Sequence, residues 1–296
     1  MMKERIIVTM TTYSKRINNI PAVLETIFNQ TFSPDLVVIN LAHEEAIPIA
    51  VQAYINQHGI EIYRVEDTKV YKKLIPTLKR YPDDCIISID DDWLYPKGMI
   101  EDFMNIHKHY PDNPVSGNKE VICGIQCHCG CASLSKASFW GDYLDVIDDD
   151  LMKYCMSDDM VYSFLSTLAG HPYVRTNSEY FTNMIPFNPI DSYSQKCYQY
   201  NNEDIIQKSY DYLVNRFGEI NNVFSFYVKD KYIANLLDDI QKQNIGLSSN
   251  KVKLETKKQV EDYILSTYSY RIGHFLLKPF SWVKMRFRDK QYYAFS

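Results

Sequence analysis

The chain has 296 residues, 46% of them hydrophobic and 23% charged, an ordinary balance for a globular protein and long enough for one large α/β domain with an appendage. Its formal charge of −5 gives no reason to expect a nucleic-acid partner. That charge is unevenly spread: residues 251–296 hold ten Lys and Arg against four Asp and Glu, leaving 22 against 33 in the first 250.

In chain order, MMKERIIVTM turns into a strand within a few residues and lacks the apolar stretch of a signal peptide. No apolar run approaches the roughly 18–20 residues that span a bilayer. Seven cysteines, an odd number, fit reduced thiols and a cytoplasmic setting. Residues 6–11 (IIVTMT) read as a strand, and Pro21 opens a helix through residue 30 whose Val23, Leu24, Ile27 and Phe28 share one face. Residues 36–41 (LVVINL) form a second strand, 49–58 a helix and 61–65 a short third strand. A helix over 71–81, a fourth strand over 85–89 and a helix over 99–110 complete the pattern. Val- and Ile-rich strands, each followed by a helix, predict an α/β fold with a mainly parallel twisted sheet flanked by helices. Beyond residue 112 the pattern loosens, with helices predicted over 158–169 and 202–216.

The fourth strand runs straight into Asp90, Asp91 and Asp92 within CIISIDDDWLYP. Three like charges on one short segment need a cationic companion. Ligands of open parallel sheets bind beyond the carboxyl ends of the strands, where this triplet falls. In an extended chain Asp90 and Asp92 face one side and Asp91 the other, so the first two form a hard-oxygen site for Mn²⁺ or Mg²⁺ carrying a diphosphate. A helix cap with solvated neighbours is the plainer alternative.

These residues resemble the nucleotide-diphospho-sugar transferases of the A-type, Rossmann-like fold, in particular the bacterial family-2-like glycosyltransferases. The likeness lies in VTMTTYSKRINNIPAVLETIFNQTFSPDLVVINLA and in YKKLIPTLKRYPDDCIISIDDDWLYPKGMIEDF, and it covers roughly residues 5–175. It implies that Thr9, Thr11, Tyr13 and Arg16 sit in the loop holding the nucleoside, with Asp67 near the base and Lys73 at the diphosphate. Asp90 and Asp91 then belong to the nucleotide-sugar site, with Asp92 and Asp90 on the metal. Arg16 and Lys73 also read as surface charges, and Thr9 and Thr11 as plain strand residues.

Ser157, Asp158 and Asp159 open a helical run, where Ser157 or Asp158 suits an N-cap. The resemblance adds catalysis: inverting A-type transferases place an acidic pair at such a helix start, its second member acting as base. Asp158 and Asp159 are therefore the catalytic candidates, Asp159 taking the acceptor proton. Asp148–Asp150 read as a solvated turn. Cys123, Cys127, His128, Cys129 and Cys131 lie within nine residues, but the spacing lacks a paired zinc knuckle, and a close-packed loop is expected.

Residues 268–296 mix aromatics with cations around Pro279 and suit the headgroup region of an anionic bilayer. They also resemble the ending of many envelope-polysaccharide transferases. The expected organisation is a catalytic domain over 1–220, its nucleotide-sugar half over about 1–112 and its acceptor half over about 113–220. A helical extension over 221–296 carries the basic tail. The expected activity is sugar transfer from a nucleotide-diphosphate donor to a glycan or lipid-linked acceptor, in the cytoplasm or on the inner face of the plasma membrane. A nucleotidyltransferase of similar fold is the alternative enzyme, although TMTTYSKR lacks the usual glycines; a non-catalytic sugar-binding or scaffold protein is the alternative from another class.

Overall fold

A computed structural model of the chain describes residues 4–117, 121–123, 125–128, 131–176, 183–187 and 202–220. The chain divides into two compact units, Met1–Glu120 with Ile125–Phe224, and Val121–Gly124 with Ser225–Ser296. The description that follows concerns the first. The basic segment 268–296 and the rest of the expected extension beyond 220 lie outside the described residues.

Four strands, β1 (Ile6–Thr11), β2 (Leu36–Ala42), β3 (Glu61–Val65) and β4 (Cys85–Ile89), pair in parallel in the order β3-β2-β1-β4. β1 and β4 sit in the middle, and every residue from Ile6 to Met10 and from Cys85 to Ile89 is buried. That explains why both read as unbroken apolar runs: a central parallel strand is covered on both faces. The sheet then continues through β6 (Ala132–Ser135), antiparallel to both β4 and β5 (Val115–Ser116), and ends at β7 (Val174–Arg175), parallel to β5. Four parallel strands are thus followed in the sheet by one antiparallel strand, β6, and by two short strands parallel to each other.

The helices follow from local chemistry. α1 (Ile20–Phe28) begins with Pro21 in its first turn, where a missing N–H costs nothing, and buries Ile20, Val23, Leu24 and Ile27. α2 (Ile49–His58) stops at Gly59, whose φ of 64° suits a residue without a Cβ. The helix expected over 71–81 is broken in two: a 3₁₀ turn over Lys69–Lys73 precedes α3 (Ile75–Arg80). Pro76 is the cause, because its ring clashes with the carbonyl four residues back and it has no N–H to bond it. The break turns Lys72 and Lys73 inward, 7% and 5% exposed.

α4 (Met99–His109) starts at Gly98 and has no capping side chain of its own. Gln30, just beyond α1, supplies one: its Oε1 accepts from Gly98 N and Ile100 N, both at 3.2 Å, and its Nε2 donates to Pro96 O at 2.9 Å. The Gln-Thr turn that resembles the transferases thus ties the first β-α unit to the segment following the aspartates.

α5 (Asp149–Tyr154) corrects the reading of residues 148–150 as a solvated turn. Asp148 caps this helix by accepting from Leu151 N at 2.8 Å, and its two oxygens engage both Arg216 guanidinium nitrogens, at 3.0 and 2.6 Å. α6 (Asp158–Leu168) is capped by Ser157, and α7 (Asn202–Phe217) carries Arg216. Among the described residues no helix is long and apolar enough to cross a membrane.

Candidate active site

The carboxyl end of β4 delivers the three aspartates to the edge of the sheet. The turn is held from beneath by Tyr95, whose buried hydroxyl accepts from Asp90 N at 2.8 Å and donates to Cys131 O at 2.7 Å. Phe187 N donates to Asp92 O at 2.7 Å, next to the two-residue antiparallel ladder of Trp93–Leu94 with Ile185–Pro186. Asp91 points inward, 1% exposed, and accepts from Thr12 Oγ1 at 2.6 Å. Asp90 and Asp92 keep 29% and 12% of their side chains exposed. The alternation expected of an extended chain is therefore visible in the burial.

Two cations answer the question posed by three adjacent acids. The Arg16 guanidinium spans both faces of the triplet, meeting Asp91 Oδ1 at 2.7 Å through one nitrogen and Asp92 Oδ2 through the other. Lys73 Nζ meets Asp90 Oδ1 at 2.8 Å. Neither is a surface charge: the side chains are 14% and 6% exposed. Burial pushes the Asp91 carboxyl up to about 6 despite Arg16 and Thr12, and the charges of Asp92 and Asp90 push the same way. Asp92 is likewise raised, by burial first and then by Asp90, so these two carboxylates feel one another.

α6 brings the second acidic pair to the same place. Asp158 is 8% exposed; burial raises its carboxyl, Lys73 opposes the rise and Asp90 adds to it. Lys73 stays firmly protonated even though burial works against its charge, because Asp90, Asp158 and Asp159 surround it. Asp158 Oδ2 and the hydroxyl of Tyr162, four residues on and thus on the same helix face, are both buried with no hydrogen-bond partner among the described residues. Asp159 keeps 41% of its side chain exposed. Among the described residues, five aspartates therefore gather around two cations, Arg16 and Lys73.

Asp90 and Asp92, two positions apart and partly exposed, offer hard oxygens of the kind Mn²⁺ or Mg²⁺ takes, though here Lys73 and Arg16 pair with them.

The remaining candidates fall into two groups. Tyr13, half-buried in the loop after β1, lies under the Arg16 guanidinium at 5.3 Å. Asp67 lies in the turn after β3, held well below the ordinary carboxylate range by Lys69 at 2.6 Å and Lys72 at 2.8 Å. Thr9 and Thr11, by contrast, are strand residues rather than loop residues. Thr9 is fully buried, and its hydroxyl donates to Lys73 O at 2.9 Å. Thr11 donates to Asn40 O at 2.8 Å. Thr9 thus supports the lysine from below, along with Asn40, whose Nδ2 reaches Thr77 Oγ1 at 2.8 Å and Lys73 O at 3.3 Å. A buried Asn in the middle of an apolar strand is a sequence signal for such a network; Tyr95 and Tyr162, two among 24 tyrosines, carry none.

Among the described residues the cysteine loop gathers no group of three metal-ligating side chains; the group that does form is Glu4, Cys85 and His107, at the start of β4. There one carboxylate serves several neighbours: Glu4 accepts from Lys136 at 2.9 Å and lies 3.4 Å from His107 Nε2, which accounts for the cluster without an ion.

No family model matches the sequence, and no curated protein matches it. The structure is similar to that of a 4-diphosphocytidyl-2C-methyl-D-erythritol synthase, with 12% identity, 69% of this chain and 99% of that one covered, and a TM-score of 0.40. It is also similar to S. aureus TarS: residues 1-349 of that protein give 14% identity, coverage of 91% and 92%, and a TM-score of 0.43. A longer TarS chain gives 13%, 84% and 50%, and 0.45. These are distant likenesses.

Proposed function

We propose that this chain is a metal-dependent glycosyltransferase, moving a sugar from a nucleotide-diphosphate donor to a glycan or lipid-linked acceptor in bacterial surface-polysaccharide synthesis. The observation that carries the reading is the meeting of two acidic pairs from distant parts of the sequence, Asp90/Asp92 and Asp158/Asp159, around the buried ammonium of Lys73.

Such a reaction has two electrostatic problems, and the site has a group for each. Negative charge grows on the departing diphosphate, and Lys73 supplies a fixed positive charge beside it in a poorly solvated setting, where it counts for more than in water. Asp90 and Asp92 would hold a divalent ion, which when bound neutralises more of that charge. Arg16 locks Asp92 in place, and Tyr13 and Asp67 offer an aromatic face and an acceptor to the nucleoside. The acceptor hydroxyl is a poor nucleophile, and Asp159, the more open member of its pair, takes its proton as the new glycosidic bond forms and the bond from the anomeric carbon to phosphate breaks. Attack opposite the leaving group gives inversion.

A donor screen reading diphosphate release tests this. Asp159→Asn is expected to bind donor normally while losing roughly 10²–10⁴-fold in transfer, the scale of general-base catalysis. Transfer at the normal rate by Asp159→Asn removes it as the base. The basic segment 268–296 is proposed to hold the acidic body at an anionic membrane surface; equal vesicle flotation with and without those residues removes that part.

A further inference from the structure

We infer that His128 is a positioning residue for Asp159: a neutral imidazole, fixed in one tautomer by Tyr173, that donates from Nε2 to the carboxylate of the base. The inference rests on the reading of Asp159 as base and adds the group that orients it.

The frame is rigid. His128 is fully buried, and its backbone N–H donates to Ser163 Oγ at 2.6 Å. The same Ser163 hydroxyl donates to Asp159 O, so one serine ties the histidine's backbone to the first turn of α6. The imidazole packs edge-on against Tyr162 and Tyr173, with ring centroids 5.1 and 5.4 Å away. Its Nδ1 lies 2.8 Å from the Tyr173 hydroxyl. Its Nε2 lies 3.9 Å from Asp159 Oδ1 and has no hydrogen-bond partner among the described residues. A buried ring nitrogen without a partner is costly, and a carboxylate oxygen stands opposite it. A rotation of the Asp159 carboxylate, whose side chain is 41% exposed, would close the gap.

The tautomer follows from the partners. If Nδ1 carried the proton, the lone pair of Nε2 would face the lone pairs of Asp159, acceptor against acceptor. With the proton on Nε2, Tyr173 donates its own proton to Nδ1 and its oxygen remains available to Ser135 Oγ at 3.5 Å. Burial, aided by the charge of Lys73, keeps the ring neutral. A neutral donor suits a base better than a cation would: it fixes the carboxylate's orientation without stripping its proton affinity.

The test compares His128→Leu, which removes the donor, with His128→Gln, whose amide replaces it, and follows kcat and donor KM separately. His128→Leu is expected to lower kcat roughly 10- to 100-fold, the scale of one hydrogen bond to a charged group, with donor KM changed by less than about twofold and His128→Gln recovering most of the loss. A wild-type kcat in His128→Leu, an equal fall in both variants, or a loss confined to donor KM overturns the inference. Long-range ¹H–¹⁵N spectra of ¹⁵N-histidine-labelled full-length protein decide it independently of turnover and of the identity of the base. Protonation of His128 at Nε2, with a signal that moves in Asp159→Asn, supports it; protonation at Nδ1, or a signal indifferent to that substitution, refutes it. Asp159→Asn transferring normally would instead remove the proposed base.

Discussion

Lys73→Met tests the electrostatic centre of the site without opening a large cavity, since methionine fills most of the lysine stem. Lys73 Nζ sits 2.8 Å from Asp90 with 6% of its side chain exposed, and it also faces Asp158 and Asp159. Removing one partner of a buried ion pair costs about 3–5 kcal/mol, because the other charge is left buried and unpaired. The cost should depend on pH. In the wild type the lysine's folded pKa is raised, so its contribution is complete below its ordinary value and fades only as the solution becomes strongly alkaline. In the variant the carboxyl of Asp158, already raised by burial, loses the opposing charge of Lys73 and takes a folded pKa further above its unfolded one. Such groups bind protons on folding, so the variant loses stability as pH rises through that window, by up to about 1.4 kcal/mol per proton per pH unit. Asp91, pushed up to about 6, gives the same slope in both proteins and cancels in the difference. Urea denaturation of both proteins at about pH 5.5 and about pH 8 is the assay, and the penalty should be clearly smaller at the acidic end. A penalty below about 1 kcal/mol, or an equal one at both pH values, refutes the placement of Lys73 as the buried counter-charge.

Asp92→Asn is expected to abolish Mn²⁺-dependent nucleotide-diphosphate binding while circular dichroism stays unchanged; calorimetry checks it. Thr9→Val keeps the strand's shape but leaves the Lys73 carbonyl with one donor fewer, and should lower stability by about 1–3 kcal/mol in urea and weaken nucleotide binding through a displaced Lys73. Asp148→Ala removes the cap of α5 and the half-exposed pair with Arg216; the cap alone is worth about 1 kcal/mol, and the exposed pair adds less. Because Arg216 and the cap hold the Asp148 carboxyl at about 2, its contribution is present above the usual carboxylate range and lost as pH falls through it, so wild type and Asp148→Ala should converge in acid denaturation.

How much of this was legible in the sequence depended on whether the signal was periodic or tertiary. The strands over Ile6–Thr11, Glu61–Val65 and Cys85–Ile89 and the helix over Ile49–His58 fall where the sequence pattern puts them. The helix over 71–81 was misjudged because an apolar pattern hides what Pro76 does to the turn before it, and that turn is what buries Lys73. Burial removes the alternative reading of Arg16 and Lys73 as surface charges, which the sequence leaves open because a lone cation does not reveal the carboxylates that fold against it. Thr9 looked like a ligand contact because it precedes the loop; strand alternation places its side chain under α3 instead. His128 was weighed only as a member of a cysteine-rich loop, and its tie to α6 through Ser163 spans 35 residues, beyond any local pattern.

Isothermal titration of the full-length protein with a panel of nucleotide diphosphates, with and without Mn²⁺, tests the central claim most directly. Tight binding of a diphosphate only when the metal is present, lost in Asp90→Asn and Asp92→Asn, is the predicted result. Binding indifferent to the metal, or a preference for triphosphates, would contradict it.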